Sequence, residues 1–183
     1  MPLGKEQQMH IPNPALRTLT LMWLALVLPT KTMLAQERLV FSVSAENTKY
    51  TQQHMIDVGD VAGHQLRLFE IKRVYPANAP VIGGLKIVES WSRGISDYIN
   101  NSGEAITYGV YVLDNGDKFF TRGRSVAFQG PEAPSLTATT VGPIIGGTGK
   151  LARINGMARM VTLANPQTGT NETRIEIEYW LPQ

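Results

Sequence analysis

From residue 39 onward, apolar and polar positions alternate in two-residue steps along most of the chain. The clearest runs are Gln65–Arg73, Ala105–Leu113, Lys118–Phe128 and Thr173–Leu181. A period of two places successive side chains on opposite faces and marks β-strands. Weaker runs cover Leu39–Val43, Leu85–Trp91, Ile95–Ile99, Leu136–Val141 and Gly156–Ala164. Turn chemistry separates them: Asn100-Asn101-Ser102-Gly103, the hairpin signal Asp114-Asn115-Gly116-Asp117, the corner Gly146-Gly147-Thr148-Gly149-Lys150, and Asn155-Gly156. Glu46 to Gly63 is polar without a clear period and reads as a long loop. The pattern predicts eight or nine strands, the count depending on whether Leu85–Ile99 is one bent strand or two. Gly109 and Gly123 inside paired strands suit bulges or sharp coiling. Such a series closes most simply as an eight-stranded antiparallel β-barrel, whose lumen is the natural place for a ligand.

The first 35 residues follow a different rule. Leu19–Leu28 is an apolar run of ten interrupted only by Thr20, short for a bilayer span. It is preceded by Lys5 and Arg17 and followed by Pro29 and Met33-Leu34-Ala35, the order of a secretory signal peptide. The expected organisation is a signal peptide over 1–35 and one barrel domain over 36–183, secreted or periplasmic, with no stable membrane span after signal removal. Removing it changes the charge. The chain has 17 basic and 15 acidic residues, but three basic and one acidic lie in the leader, leaving 14 of each. A neutral domain without a basic run excludes nucleic acid as the expected partner. The absence of cysteine excludes disulfides and thiolate-bound metal.

Several familiar chemistries fail on spacing. A phosphate loop needs glycine at Ile144 and Ser or Thr at Leu151, so Gly146–Lys150 reads as a tight corner between strands. His54 and His64 stand ten apart, with Asp57 and Asp60 nearby, and no ligand motif supports a metal site. No nucleophile elbow occurs. Nothing calls for a cofactor.

Carboxylates on strands are the better candidates. Glu70 shares a face with Leu66 and Leu68. If those leucines point inward, a carboxylate enters the lumen, where burial raises its pKa and equips it as a general acid or base. If they point outward, Glu70 is a solvated strand residue. Glu89 lies between Ile87 and Trp91, and Arg93, Asp97 and Tyr98 follow. These charges read either as a site or as an ion-pair set tying one end of the barrel.

Leu68-Phe69-Glu70-Ile71-Lys72-Arg73, Glu104-Ala105-Ile106-Thr107-Tyr108, Asp114–Asp117 and Gly146-Gly147-Thr148-Gly149-Lys150-Leu151-Ala152 together resemble allene oxide cyclases. The glycine corner also resembles plant dirigent proteins. The resemblance implies a calycin-like barrel with an apolar cavity, commonly a homotrimer. It also implies Glu70 as the cavity carboxylate, matching the glutamate of the cyclases' Tyr-Glu-Ile-Asn strand. Lys72 stands where that strand has its asparagine, a departure from the cyclase pattern. The leading expectation is an exported barrel binding a small hydrophobic molecule, with Glu70 as catalytic or orienting group and Leu68, Glu89, Trp91, Arg93 and Tyr108 as ligand contacts. The alternatives are a cofactor-free cyclase-like isomerase or dirigent-like protein guiding a reactive intermediate, and a barrel whose filled lumen serves only structure.

Overall fold

The computed structural model describes residues 36–165 and 168–182, so the expected signal peptide lies outside the described residues. Ten strands follow in order: β1 (Glu37–Val43), β2 (Thr48–Asp57), β3 (His64–Val74), β4 (Val81–Ile82), β5 (Leu85–Ile99), β6 (Ser102–Leu113), β7 (Lys118–Phe128), β8 (Leu136–Gly147), β9 (Asn155–Asn165) and β10 (Thr170–Trp180). All pairs are antiparallel, in the spatial order β1-β10-β9-β8-β7-β6-β5-β3-β2, with β4 added beside β5. Short 3₁₀ turns at Ala45–Asn47 and Gly149–Leu151 are the only helical pieces among the described residues. No described helix is long and apolar enough to cross a membrane.

The sheet curls on itself as a barrel. Inward side chains of β3 reach β10 although the two strands are six places apart along the ladder. The ladder does not close, because β1 and β2 form its two ends. β1 pairs with residues 173–179 of β10, which leaves 170–172 without a β1 partner. There the Asn171 amide donates to the Tyr50 hydroxyl of β2 at 3.0 Å, bridging the seam with side chains instead of backbone.

The stretch expected to be a loop contains β2, ten residues long and almost wholly exposed at the sheet edge. An edge strand exposed on both faces has no dry side to impose a period, so alternation gave no signal. Leu85–Ile99 is one continuous strand with an irregularity between Ile87 and Glu89. Further register shifts fall at Tyr50/Gln52 and Phe120/Thr121, not at Gly109 or Gly123. Those two glycines instead make room, since a side chain at either would meet an inward threonine, Thr121 or Thr140.

One end of the barrel is solid. Ile82, Ile87, Leu113, Phe119, Leu151, Ile175 and Ile177 are almost completely buried, and the Phe119 ring stacks on Tyr111 with centroids 4.4 Å apart. Burial of each large apolar side chain contributes about 1.5–3 kcal/mol. The alternation of β10 holds as read: Ile175, Ile177 and Tyr179 are dry, while Arg174 is exposed and Glu176 and Glu178 are only partly covered.

The glycine corner docks on the β6–β7 hairpin. The Asp117 carboxylate accepts from the Lys150 backbone N–H at 3.0 Å and from Asn115 Nδ2 at 2.8 Å. These donors, the Asn115 contact foremost, hold its pKa below the usual carboxylate range. Gly149 has φ +52°, and a Cβ there would collide with that carboxylate. Gly149→Ala is therefore expected to lower unfolding free energy by about 1–3 kcal/mol in urea titration, combining left-handed strain with a displaced Asp117. An unchanged midpoint would show that the corner carries no such constraint.

Candidate functional site

Small side chains set the interior of the other half of the barrel. The inward positions of β5 carry Ser90, Ser92, Gly94 and Ser96, and those of β6 and β7 carry Ala105, Thr107, Gly109, Thr121, Gly123, Ser125 and Ala127. So many short residues leave space that the packed end does not have. Long side chains of β3 enter part of it: Arg67, Phe69, Ile71 and Arg73 alternate inward along one strand. The Phe69 ring lies over Gly94, where any Cβ would clash with it. A cavity of about 140 Å³ remains. Tyr50, Phe69, Tyr98, Leu136 and Met160 give it apolar walls, and Ser92, Thr107, Ser125, Thr140 and Asn171 give it neutral polar ones. Its lining includes Tyr50 and Gln53 of β2, Gly169, and Thr170 at the start of β10, residues that flank the seam.

Arg73 sits between cavity and packed core, one inward position from Tyr75. It is 3% exposed. One terminal nitrogen donates to Ser92 Oγ at 2.8 Å; the other lies 3.4 Å from both Asn171 Oδ1 and Thr173 Oγ1. Burial pushes its pKa down from the ordinary guanidinium value, and the strongest opposing influences are tyrosines, not carboxylates. The Tyr75 hydroxyl pairs with Ser90 Oγ at 2.8 Å, and burial raises its pKa. Burial raises Tyr98 likewise.

The expected site residues lie elsewhere. Glu70, Leu68, Glu89, Trp91, Arg93 and Tyr108 are all on the outer face. The expectation that Glu70 enters the lumen is thus corrected: it is half-buried on the outer face, where Leu66 and Leu68 are exposed. Register explains the grouping. Glu70, Arg93, Tyr108 and Arg122 stand side by side across β3, β5, β6 and β7. Glu70 accepts from the Thr51 hydroxyl at 2.6 Å and from Arg93 Nε at 2.6 Å. The Thr51 hydroxyl first, then Arg93, holds its carboxyl below the ordinary range, opposite to the raised value that lumen burial would give. Glu89 pairs with Lys72 at 2.8 Å and accepts from the Trp91 indole at 2.9 Å, which lowers its pKa as well. Trp91 lies between two cations, with Lys72 Nζ 4.9 Å and the Arg93 guanidinium 5.0 Å from its ring centre. The structure therefore gathers four of the six candidates into two adjoining ion-pair and cation–π groups, with Tyr108 against Arg122 and Leu68 in an apolar row beside them.

That row explains why the face was misjudged. Leu68, Ile95 and Ile106 are register neighbours on the outside, exposed by 51%, 57% and 38%. Meanwhile the cavity-lining face carries two arginines and a series of serines and threonines. Reading apolar as inward inverts this strand. The Ser-x-Ser-x-Gly-x-Ser spacing of residues 90–96 was the available signal for an inward row of small residues.

No family model matches the chain, and no curated protein matches it. Among solved structures, it is similar to a pterocarpan synthase dirigent protein at 13% identity and a TM-score of 0.47, over 82% of this chain and 90% of that one.

His64 opens β3. Its Nδ1 meets Asp60 at 2.6 Å and its Nε2 meets Asp97 at 2.7 Å. The two carboxylates, Asp97 first, raise its pKa above the ordinary 6.5. A raised folded pKa means the folded state binds the proton more tightly. The pair's stabilisation is therefore fully present below pH 6.5 and is lost as pH rises through the folded pKa. Melting temperatures of the wild type and of His64→Asn are expected to differ most near pH 6 and to converge by pH 9. A constant difference across that range would contradict this linkage.

Proposed function

We propose that the protein is a barrel that binds one small molecule inside its open half. The cavity supports this reading: about 140 Å³ is left between inward small residues while the other end is packed solid. A barrel serving only as scaffold would gain stability by filling that space, since cavity-lining groups lose contact energy. The volume is close to the roughly 150 Å³ that accommodates a benzene-sized guest. The ligand is accordingly compact, with an apolar body. No acidic residue lines the cavity among the described residues. The cyclase-like alternative rested on Glu70 in the lumen, and with Glu70 outside it has no carboxylate to work with. Arg73 and the neutral hydroxyls take over as the orienting polar groups. Export of the domain remains part of the proposal and rests on the leader-like segment alone.

Ala138 lines the cavity from β8 and is partly exposed to it. Ala138→Leu fills the space with three extra carbons. It is expected to keep the far-UV circular dichroism of the wild type while abolishing the thermal upshift given by single-ring compounds. A screen of such compounds that shifts neither protein would overturn the lumen-binding reading.

The homotrimer implied by the resemblance has a face that would suit it. On the outside of β3, β5 and β6, Leu66, Leu68, Ile95, Ile106 and Tyr108 form one apolar patch. Its rim carries both signs, Arg93, Arg122 and Arg124 with Asp97 and Glu104, which can pair with opposite charges on a neighbouring copy. We propose this face as the contact between copies. Ile95→Glu is expected to reduce the sedimentation mass to that of a 20.2 kDa chain, less any leader removed. A wild type that already sediments as a monomer would refute it.

A further inference from the structure

We propose that the lumen is an anion site: it takes a compact organic oxyanion, foremost a monocarboxylate with a single-ring or smaller body, held by Arg73 and Arg67. This rests on the lumen being the ligand site and adds the charge of the ligand. The first observation is an unbalanced charge. Arg73 is 3% exposed, yet its partners Ser92, Asn171 and Thr173 are neutral. Its Nε has no hydrogen-bond partner among the described residues. Every acidic side chain in the described chain lies off the cavity lining. Removing a guanidinium from water without a counter-charge costs several kcal/mol.

The second observation is independent and lies on the same strand. Arg67 lines the same cavity, and its Nε is also buried without a partner among the described residues. One of its terminal nitrogens donates to Gln53 Oε1 at 3.3 Å, and its guanidinium lies 5.8 Å from the Tyr50 ring centre and 5.5 Å from that of Phe69. Bonds to Ser92 of β5 and to Asn171 and Thr173 of β10 account for the terminal nitrogens of Arg73. They leave both Nε groups and two positive charges unexplained. An oxyanion in the cavity would neutralise the lumen, the planar guanidinium of arginine matching a carboxylate edge. The aromatic and aliphatic walls provide for the rest of the molecule, and the volume limits it to about one ring.

The test is calorimetric titration of the full chain at low salt with benzoate, phenylphosphonate and benzyl alcohol, the last being the neutral analogue. Benzoate is expected to bind once per chain and at least tenfold more tightly than benzyl alcohol. Phenylphosphonate binding more tightly than benzoate would overturn the preference for a planar carboxylate. Arg73→Met removes the charge but keeps much of the length, and is expected to weaken benzoate at least tenfold more than it weakens benzyl alcohol. Arg67→Gln, on a less buried side chain, gives the same test should Arg73→Met fail to fold. Equal affinity for benzoate and benzyl alcohol, or benzoate affinity indifferent to both arginines, would overturn the anion inference and leave the lumen-binding reading standing. Failure of all three compounds to bind would overturn both.

Discussion

The phase of β3 is the constraint on which the rest of the molecule depends. A strand offers two faces only, and a shift of one residue exchanges them completely. In β3 the phase puts Arg67, Phe69, Ile71 and Arg73 inside and Leu66, Leu68, Glu70 and Lys72 outside. That choice is held from both sides by pairing with β2 and β5. It is also held from within, because Gly94 and the serines of β5 leave room only for long inward side chains opposite them. The register Glu70↔Arg93 then places opposite charges together on the outer face. An inverted phase would bury Glu70 and Lys72 in the barrel and turn Phe69 out to water.

The interior divides into a packed half that stabilises the fold and a polar half that does not. Ile87, Tyr111, Leu113, Phe119, Ile175 and Ile177 fill the first. In the second, Thr140 donates to Ser125 at 3.0 Å, and Thr162 meets Thr173 at 3.0 Å. Each such bond adds only about 1 kcal/mol net, but leaving its groups unpaired would cost more. Arg73 stands at the boundary and joins the halves. Its contacts to Asn171 and Thr173 span the barrel to β10, close to the place where the backbone ladder is open. A lysine there would offer one compact ammonium and could not reach Ser92 and β10 together.

Much of this architecture was legible in the residues. The hairpin at Asp114–Asp117, the corner at Gly146–Lys150, and the dry face of β10 follow from turn chemistry and strict alternation, both local properties. What stayed hidden depends on partners far away in sequence. β2 is an edge strand with little burial on either face, so no pattern announced it. The face of β3 was misleading because Leu66 and Leu68 cover an outer apolar patch, while the inner face carries arginines. The hydrophobic period locates a strand reliably but assigns its inner face only when the outer surface is wet. The candidate residues are neighbours in register, on the outer side of the sheet.

The seam, part of the cavity lining and the buried charge are features of one place. Where β10 runs on past the end of β1, backbone donors and acceptors lose their ladder and side chains take over: Asn171 to Tyr50, Arg73 to Asn171 and Thr173. A fully laddered barrel would be tighter there but would have no lateral entrance. Side-chain bridges are shorter-ranged and easier to rearrange than a β-ladder, so the seam is the part of the wall best able to admit a guest. The guanidinium that helps hold the seam also carries charge without an opposing carboxylate among the described residues. A ligand that neutralised Arg73 would remove part of the desolvation penalty and brace β3 against β10 in the same act. Binding and closure of the barrel would then be thermodynamically linked, with occupancy stabilising the fold by mass action.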